Sequence, residues 1–130
     1  MTRPVHYAAP ANLPRGMPLS AAVAHGGILY VSGLPGRDAA GEIPSDFASQ
    51  FRNAIALMDG LVRQAGATLD DMIETSVLLT RAEDVAEMNR LYAASFSAPY
   101  PARITSIVAA LPHPDLLVEI RGTAALPDEP

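Results

Sequence analysis

The stretch PYPARITSIVAALPHPDLLVEIRGTAAL, residues 99–126, contains two mostly apolar runs separated by the turn-forming segment 111–115. Both runs are rich in β-branched and other apolar residues, so we predict two strands here. Three charged residues interrupt these runs: Arg103 near the start of the first, and Glu119 and Arg121 within the second. A buried charge is costly unless it is paired or used in chemistry, so these residues are the first candidates for a functional site.

Alternation along the second predicted strand separates its charged residues from its apolar ones. Glu119 and Arg121 share one face because side chains two residues apart in a strand point the same way. The opposite face is the expected core and carries Leu116, Val118, Ile120 and Ala124. On one interpretation, Glu119 forms a half-exposed cross-strand ion pair with an arginine. On the other, the charged face lies in a subunit cleft, where Arg103 holds a carboxylate and Glu119 activates water or returns a proton.

The first 80 residues predict three further strands. Residues 1–19 contain four prolines and are expected to form an extended arm with little regular structure. Residues 20–25 and 28–34 are predicted strands on either side of a Gly-Gly turn. Residues 72–80, rich in β-branched side chains, are predicted to form the next strand.

Two segments show the apolar periodicity of helices. After Ser45 apolar residues recur every three or four positions, with Ser45 or Asp46 as the N-cap and Gly66 as the C-cap. Residues 83–96 form the second predicted helix. The order β-β-α-β-α-β-β predicts one α+β domain over residues 1–130, a mixed sheet with both helices on one face. Its last residues, 127–130, are expected to fray.

Composition limits the partners and the location of the protein. The 130-residue chain is 49% hydrophobic, which suits one well-packed domain and favours an oligomer that buries apolar surface. A net charge of −5 without a Lys/Arg cluster argues against nucleic-acid binding. The absence of a long apolar run, of signal-peptide features and of cysteine predicts a cytoplasmic protein with no membrane association.

Other common catalytic and metal-binding patterns are absent from the sequence. The three histidines, His6, His25 and His113, are far apart in the sequence and lack the paired spacing of metal ligands. No metal site is therefore predicted. We expect His113, between two prolines, to be a solvated turn residue. Ser32 lacks the Gly-x-Ser-x-Gly pattern of a serine hydrolase. Asp70 and Asp71 are expected to be solvated turn residues.

Six sequence blocks resemble the Rid family of reactive intermediate (enamine/imine) deaminases over residues 18–124. They are LYVSGLPG (29–36), GEIPSDFASQ (41–50), RQAGATLDDMIETSVLLT (63–80), DVAEMNRLY (84–92), PARITSIVAALP (101–112) and LLVEIRGTAA (116–125). Any one block is a weak signal, whereas the order and spacing of all six are specific.

The resemblance implies a fold, an assembly and an activity. The fold is chorismate-mutase-like (YjgF-like), and the assembly is a homotrimer with three clefts, each built from two subunits. The implied activity is hydrolysis of small anionic 2-imino or enamine acids, such as 2-aminoacrylate, to 2-keto acids and ammonia, without a cofactor. An alternative is a non-catalytic trimer that binds small carboxylates or acts through its surface as a sensor or holdase.

The resemblance also implies roles for individual residues. The carboxylate-binding arginine of the family falls on Arg103, and its water-positioning glutamate falls on Glu119. Further substrate contacts are implied at Ser32, Gly33, Asn89 and Thr105.

The chain departs from the family pattern at two positions. Leu19 stands where deaminating members often carry a tyrosine, and Arg121 stands where many carry an acid or a neutral residue. A cation beside Glu119 is expected to lower the pKa of its carboxyl. If Arg103 and Arg121 flank one carboxylate, Arg121 is a second substrate-binding residue, which predicts a preference for imines of dicarboxylic acids.

Overall fold

The structure, a computed structural model, describes residues 3–127, so most of the predicted frayed tail lies outside the described residues. Its strands are β1 (Val5–Tyr7), β2 (Ala22–His25), β3 (Ile28–Pro35), β4 (Met72–Leu79), β5 (Ala102–Ile107) and β6 (Val118–Ala125). They form one sheet in the order β1-β2-β3-β6-β4-β5. Neighbouring strands are antiparallel except β4 and β5, which run parallel with Thr75 opposite Arg103. The predicted mixed sheet is therefore confirmed.

Two helices pack on this sheet, α1 (Phe47–Gln64) and α2 (Val85–Ser95). The side chain of Asp46 caps α1 by accepting the Ser49 N–H at 2.9 Å. The helix ends at Gln64 with Ala65 as its C-cap, and Gly66 follows with a φ of +88°, a conformation that favours glycine. Neither helix within residues 3–127 has the length and apolar composition needed to span a bilayer.

The core lies between the helices and one face of the sheet. Along β6 every second residue is buried, at Val118, Ile120, Gly122 and Ala124. The residues between them, Glu119, Arg121 and Thr123, are half-buried on the other face, as the alternation predicted. That other face carries no helix and leaves large apolar side chains exposed, including Tyr30 and Ile104.

The N-terminal arm has little regular structure over its described residues 3–19, as expected, apart from the short strand β1. In β1, His6 pairs with Val23 of β2, and the Tyr7 carbonyl accepts the Ala21 N–H at 2.9 Å. Without β1, strand β2 would be a sheet edge with unpaired backbone groups, which a neighbouring extended segment readily satisfies. A strand of three residues has no periodicity that reveals it in a sequence.

Candidate functional site

Glu119 lies on β6 with its carboxyl half-buried on the helix-free face of the sheet. Burial raises the pKa of the Glu119 carboxyl above its ordinary value, because the charged form loses hydration. The described residues place no arginine or lysine in an ion pair with it. Glu119 is therefore a carboxyl whose protonated form is favoured by burial, a direction that suits a group that accepts and returns a proton.

An irregularity in β3 brings Ser32 and Gly33 next to this carboxyl. The pairing of β3 with β6 shifts register between Val31 and Leu34, and Ser32 and Gly33 lie within that shift. A Cβ on Gly33 would lie 2.7 Å from Glu119 Oε2, so the carboxyl rests against glycine backbone. The Ser32 hydroxyl donates to the Ser20 carbonyl at 2.6 Å. The hydroxyl oxygen of Ser32, which lines the pocket, can therefore act only as an acceptor for a ligand.

A pocket of about 490 Å³ surrounds Glu119, Ser32 and Gly33. One wall is the N-terminal arm, another is the start of the loop after β3, and a third is the turn before β6. Most of the remaining lining is apolar, contributed by Ala9, Leu13, Pro14, Met17, Leu19, Pro35, Pro112 and Leu116. This pocket is concave, largely apolar and equipped with few polar groups, which is the usual composition of a small-molecule site.

The fully buried side chain of Gln50 on α1 holds the turn before β6 in place. Its Nε2 donates to the carbonyls of Pro44 and Asp115, at 2.8 and 3.0 Å. Its Oε1 accepts the Leu117 N–H at 2.8 Å. Because Leu117 is two residues before Glu119, this amide fixes the approach of the chain to the catalytic candidate.

Arg103 lies on β5, and its guanidinium is held by residues of α2. Nη2 donates to Asn89 Oδ1 at 2.7 Å, and the guanidinium carbon lies 4.8 Å from the centre of the Tyr92 ring. Nη1 contacts Met88 Sδ at 3.6 Å. Arg103 and Asn89 are thus brought together, and with Tyr100 they line a second pocket of about 400 Å³. This arginine is exposed and oriented, which suits a carboxylate anchor.

Arg103 and Glu119 lie in separate pockets on opposite faces of the sheet. Arg103 is paired with buried Thr75, whose hydroxyl shares a hydrogen bond of 2.7 Å with Tyr92 of α2, so its face is the helix-covered one. Glu119 occupies the alternate register on β6, on the helix-free face. One copy of the chain therefore does not bring the two candidates together. Half-buried Thr105 shares the face of Arg103 and lines neither pocket.

Arg121 is engaged elsewhere, and this corrects two expectations. Its Nη1 forms an ion pair with Glu74 Oε1 on the adjacent strand at 3.1 Å, and Thr123 donates to the same oxygen at 3.3 Å. Arg121 lies on the face opposite Arg103, so within one chain the two arginines do not flank one carboxylate. The expected lowering of the Glu119 pKa by Arg121 is also wrong, since burial raises it.

Two polar residues of the Glu119 pocket were not predicted from the sequence as site residues. His113 is half-buried rather than fully solvated, and its Nδ1 accepts the Asp115 N–H at 3.1 Å. Arg37 donates Nη1 to the Gly41 carbonyl at 2.9 Å, and its buried Nε has no partner among the described residues. No sequence pattern places these residues near Glu119, because the loop and the turn that carry them meet only in the folded sheet.

A family model described as Endoribonuclease L-PSP matches residues 11–126, a span that includes Ser32, Arg103 and Glu119. The chain belongs to this family. Its membership confirms the resemblance to the Rid proteins, because relatives and structural neighbours carry the names RutC, YjgF and RidA. The matched span includes every lining residue of the Arg103 pocket and all but Ala9 of the Glu119 pocket.

Members of the family with curated names are similar over most of their length. The RutC family protein y4sK of Sinorhizobium fredii is 42% identical over 111 residues, covering 84% of this chain and 87% of that protein. The 2-iminobutanoate/2-iminopropanoate deaminase of Escherichia coli is 34% identical over 103 residues, covering 76% of this chain and 80% of the enzyme. Imine deamination is thus an activity found within the family.

Solved structures of family members share the fold. RidA from an Antarctic Psychrobacter species superposes with a TM-score of 0.83 at 32% identity, covering 88% of this chain and 94% of that chain. The YjgF gene product of Escherichia coli gives a TM-score of 0.82 at 29% identity, covering 93% and 98% of the two chains. The predicted YjgF-like fold is therefore confirmed.

Proposed function

We propose that the protein hydrolyses small 2-imino and enamine acids to 2-keto acids and ammonia. The observation that carries the proposal is the half-buried Glu119 carboxyl, with its raised pKa, resting against Gly33 in a largely apolar pocket. Such a group can accept a proton from water and return it to the substrate. The Escherichia coli relative named as an iminobutanoate/iminopropanoate deaminase supports the same chemistry.

The proposed active site is shared between two copies of the chain. Arg103 and Glu119 lie on opposite faces of the sheet. An active site that contains both residues must therefore take Arg103 from one copy of the chain and Glu119 from another. Tyr30 and Ile104 on the helix-free face are 49% and 59% exposed, and covering them favours self-association. A homotrimer meets both needs, because cyclic symmetry repeats one cleft three times. Light scattering at micromolar concentration is expected to give the mass of three chains.

Arg103 has the role of substrate anchor in this proposal. Its planar guanidinium forms two parallel hydrogen bonds with the substrate carboxylate, a grip that a lysine cannot reproduce. Asn89 and the ring of Tyr92 hold the guanidinium in one orientation before the substrate arrives. Preorganisation of this kind places the imine carbon at a fixed distance from the groups that act on it.

Glu119 has the role of proton carrier. Its carboxylate takes a proton from water as the water oxygen bonds to the carbon of the protonated imine. The protonated Glu119 then returns this proton to the nitrogen of the carbinolamine. The C–N bond breaks, the nitrogen leaves as ammonium with the hydroxyl proton, and the C=O of the keto acid remains. An enamine enters the same sequence after its β-carbon takes up a proton.

Ammonia release from freshly generated 2-iminobutyrate, corrected for spontaneous hydrolysis, tests this proposal. We expect wild-type protein to accelerate the release and Arg103→Lys to lose most of the acceleration with little change in melting temperature. Equal rates with wild type, Arg103→Lys and no protein would contradict the proposal. Measurable binding of 2-ketobutyrate in that case would favour the alternative, a carboxylate-binding module without chemistry.

A further inference from the structure

The wall of the Glu119 pocket formed by the N-terminal arm is apolar and close to the reacting group. Leu13, Pro14, Met17 and Leu19 line the same pocket as Ser32, Gly33 and Glu119. Met17 and Leu19 each expose 56% of their surface and so offer apolar area that a bound ligand can cover. We refer to these four arm residues as the arm wall.

The arm wall is held in position by contacts at both of its ends. On the N-terminal side, β1 pairs with β2, and Leu13 packs against the hydrophobic core. Asn12 Nδ2 donates to the Asp38 carbonyl at 3.2 Å, which fastens the arm to the loop after β3. On the C-terminal side, the Ser20 carbonyl accepts the hydroxyl proton of Ser32. The wall is therefore part of a preformed cavity.

Charged groups in this pocket leave little to attract an acidic substrate side chain. Arg37 lines the pocket, but its Nη1 already donates to the Gly41 carbonyl, and its Nε, unpartnered in the described part of the chain, is buried. Arg121 is paired with Glu74 outside the pocket. The Glu119 carboxylate would also repel a second negative group. An apolar substrate side chain needs no cation and is not repelled by Glu119, and its binding releases water from the apolar surface of the pocket.

We propose that the arm wall is a side-chain subsite that favours 2-imino acids with a large apolar side chain, of leucine, methionine or phenylalanine size. The inference rests on the proposed function and narrows its substrate class. A pocket of about 490 Å³ exceeds what the methyl group of an alanine-derived imine fills. One methylene in an apolar pocket changes kcat/KM by about 10–200-fold, so the extra carbons of leucine give a measurable preference.

The test compares imines that an amino-acid oxidase generates in the cuvette from alanine, leucine and aspartate. Competition with semicarbazide reports imine decay, and each rate is corrected for spontaneous hydrolysis. We expect wild-type kcat/KM for the leucine-derived imine to exceed that for the alanine-derived imine by about tenfold or more. Leu19→Asn and Met17→Ser are each expected to reduce this ratio several-fold. Leu19→Met is expected to preserve it.

The matched control is Val5→Asn, which removes an apolar side chain that is 53% exposed on β1 and lies outside the pocket. Its activity and its substrate ratio are expected to equal those of wild type. Light scattering on every variant shows whether the assembly is intact. Leu19→Asn forming a smaller assembly while its substrate ratio stays at the wild-type value would identify the arm wall as a subunit contact and overturn the subsite.

The remaining outcomes separate this inference from the proposed function. Wild-type protein that accelerates the decay of none of the imines contradicts the proposed function itself. Clear activity with the same leucine-to-alanine ratio in wild type, Leu19→Asn and Met17→Ser leaves that function standing and overturns the subsite. A preference for the aspartate-derived imine also overturns it, and would assign the pocket to an anion held by Arg37.

Discussion

The carboxyl of Glu119 rests against the backbone of Gly33, at a place where even a methyl group would lie 2.7 Å from Oε2. Two strands bring these residues together, because Gly33 lies in the register shift of β3 beside β6. The backbone of Gly33 has a negative φ, so this glycine is required by the close approach and not by its conformation. The contact fixes where the carboxyl can act.

Gly33→Ala is therefore expected to reduce activity more than stability. The new Cβ displaces the end of a flexible side chain, which costs the fold little but moves the carboxyl away from its working position. A displacement of about 1 Å is sufficient to lower kcat about 100-fold. The control is Gly60→Ala on α1, where a Cβ meets nothing within 4 Å and helix propensity improves. Full activity in Gly33→Ala would show that the contact does not position Glu119.

Glu119→Gln is expected to abolish imine hydrolysis and to change the pH dependence of stability. The pKa of Glu119 is raised in the folded protein, so its contribution to stability is fully present below the ordinary glutamate value of 4.5. That contribution is lost as the pH rises through the folded-state pKa. Above the folded-state pKa of Glu119, the melting temperature of Glu119→Gln should therefore rise relative to that of wild type.

Melting curves from about pH 4 to 8 measure this effect, with the exposed Glu83→Gln as the control. If the melting temperature of wild type rose above that of Glu119→Gln as the pH increased, the fold would stabilise the ionised carboxylate, which would contradict this prediction. The kcat/KM of wild type should fall on the acid side as Glu119 becomes protonated, with a midpoint above the ordinary glutamate value.

Gln50→Ala is expected to destabilise the fold by about 3 kcal/mol, because it leaves a cavity at a fully buried position and leaves three partly buried backbone groups without their partner. The groups are the carbonyls of Pro44 and Asp115 and the N–H of Leu117. Denaturant unfolding measures the change, and Gln64→Ala at the exposed end of α1 is the control. A loss below about 0.5 kcal/mol would mean that water replaces the amide at this site.

Arg121→Ala is expected to alter neither activity nor substrate preference by more than about twofold. Its ion pair with Glu74 is about 40% exposed at each side chain, and pairs of that kind contribute roughly 0–1 kcal/mol. Steady-state rates with alanine-derived and aspartate-derived imines check this expectation. Selective loss of the aspartate-derived substrate would restore the role that the sequence suggested for Arg121.

Local features of the sequence predicted most of the elements of this fold. Helix α1 begins after Asp46 and ends before Gly66, as the capping residues indicated. The alternation along β6 correctly separated the buried residues from Glu119 and Arg121. These features depend on neighbours in the chain, so the sequence alone contains the information needed to predict them.

Relationships between distant strands were not predictable in the same way. The parallel pairing of β4 with β5 puts Arg103 on the helix-covered face, and the register of β4 with β6 offers Glu74 to Arg121. Neither pairing leaves a periodic signal in the sequence. For this reason the three charged residues of the opening stretch seemed to form one site, whereas one chain divides them among two pockets and an ion pair.

In the proposed function, each active site takes Arg103 from one copy of the chain and Glu119 from another. Complementation between two inactive variants, Arg103→Ala and Glu119→Gln, tests it most directly. When they are co-expressed in equal amounts and the mixed trimers are purified, about a third of the clefts have both native residues, because each mixed trimer contains one such cleft. We expect imine deaminase activity of about a third of the wild-type value in the mixed trimers and none in either variant alone. Mixed trimers that mass spectrometry verifies but that remain inactive would contradict it.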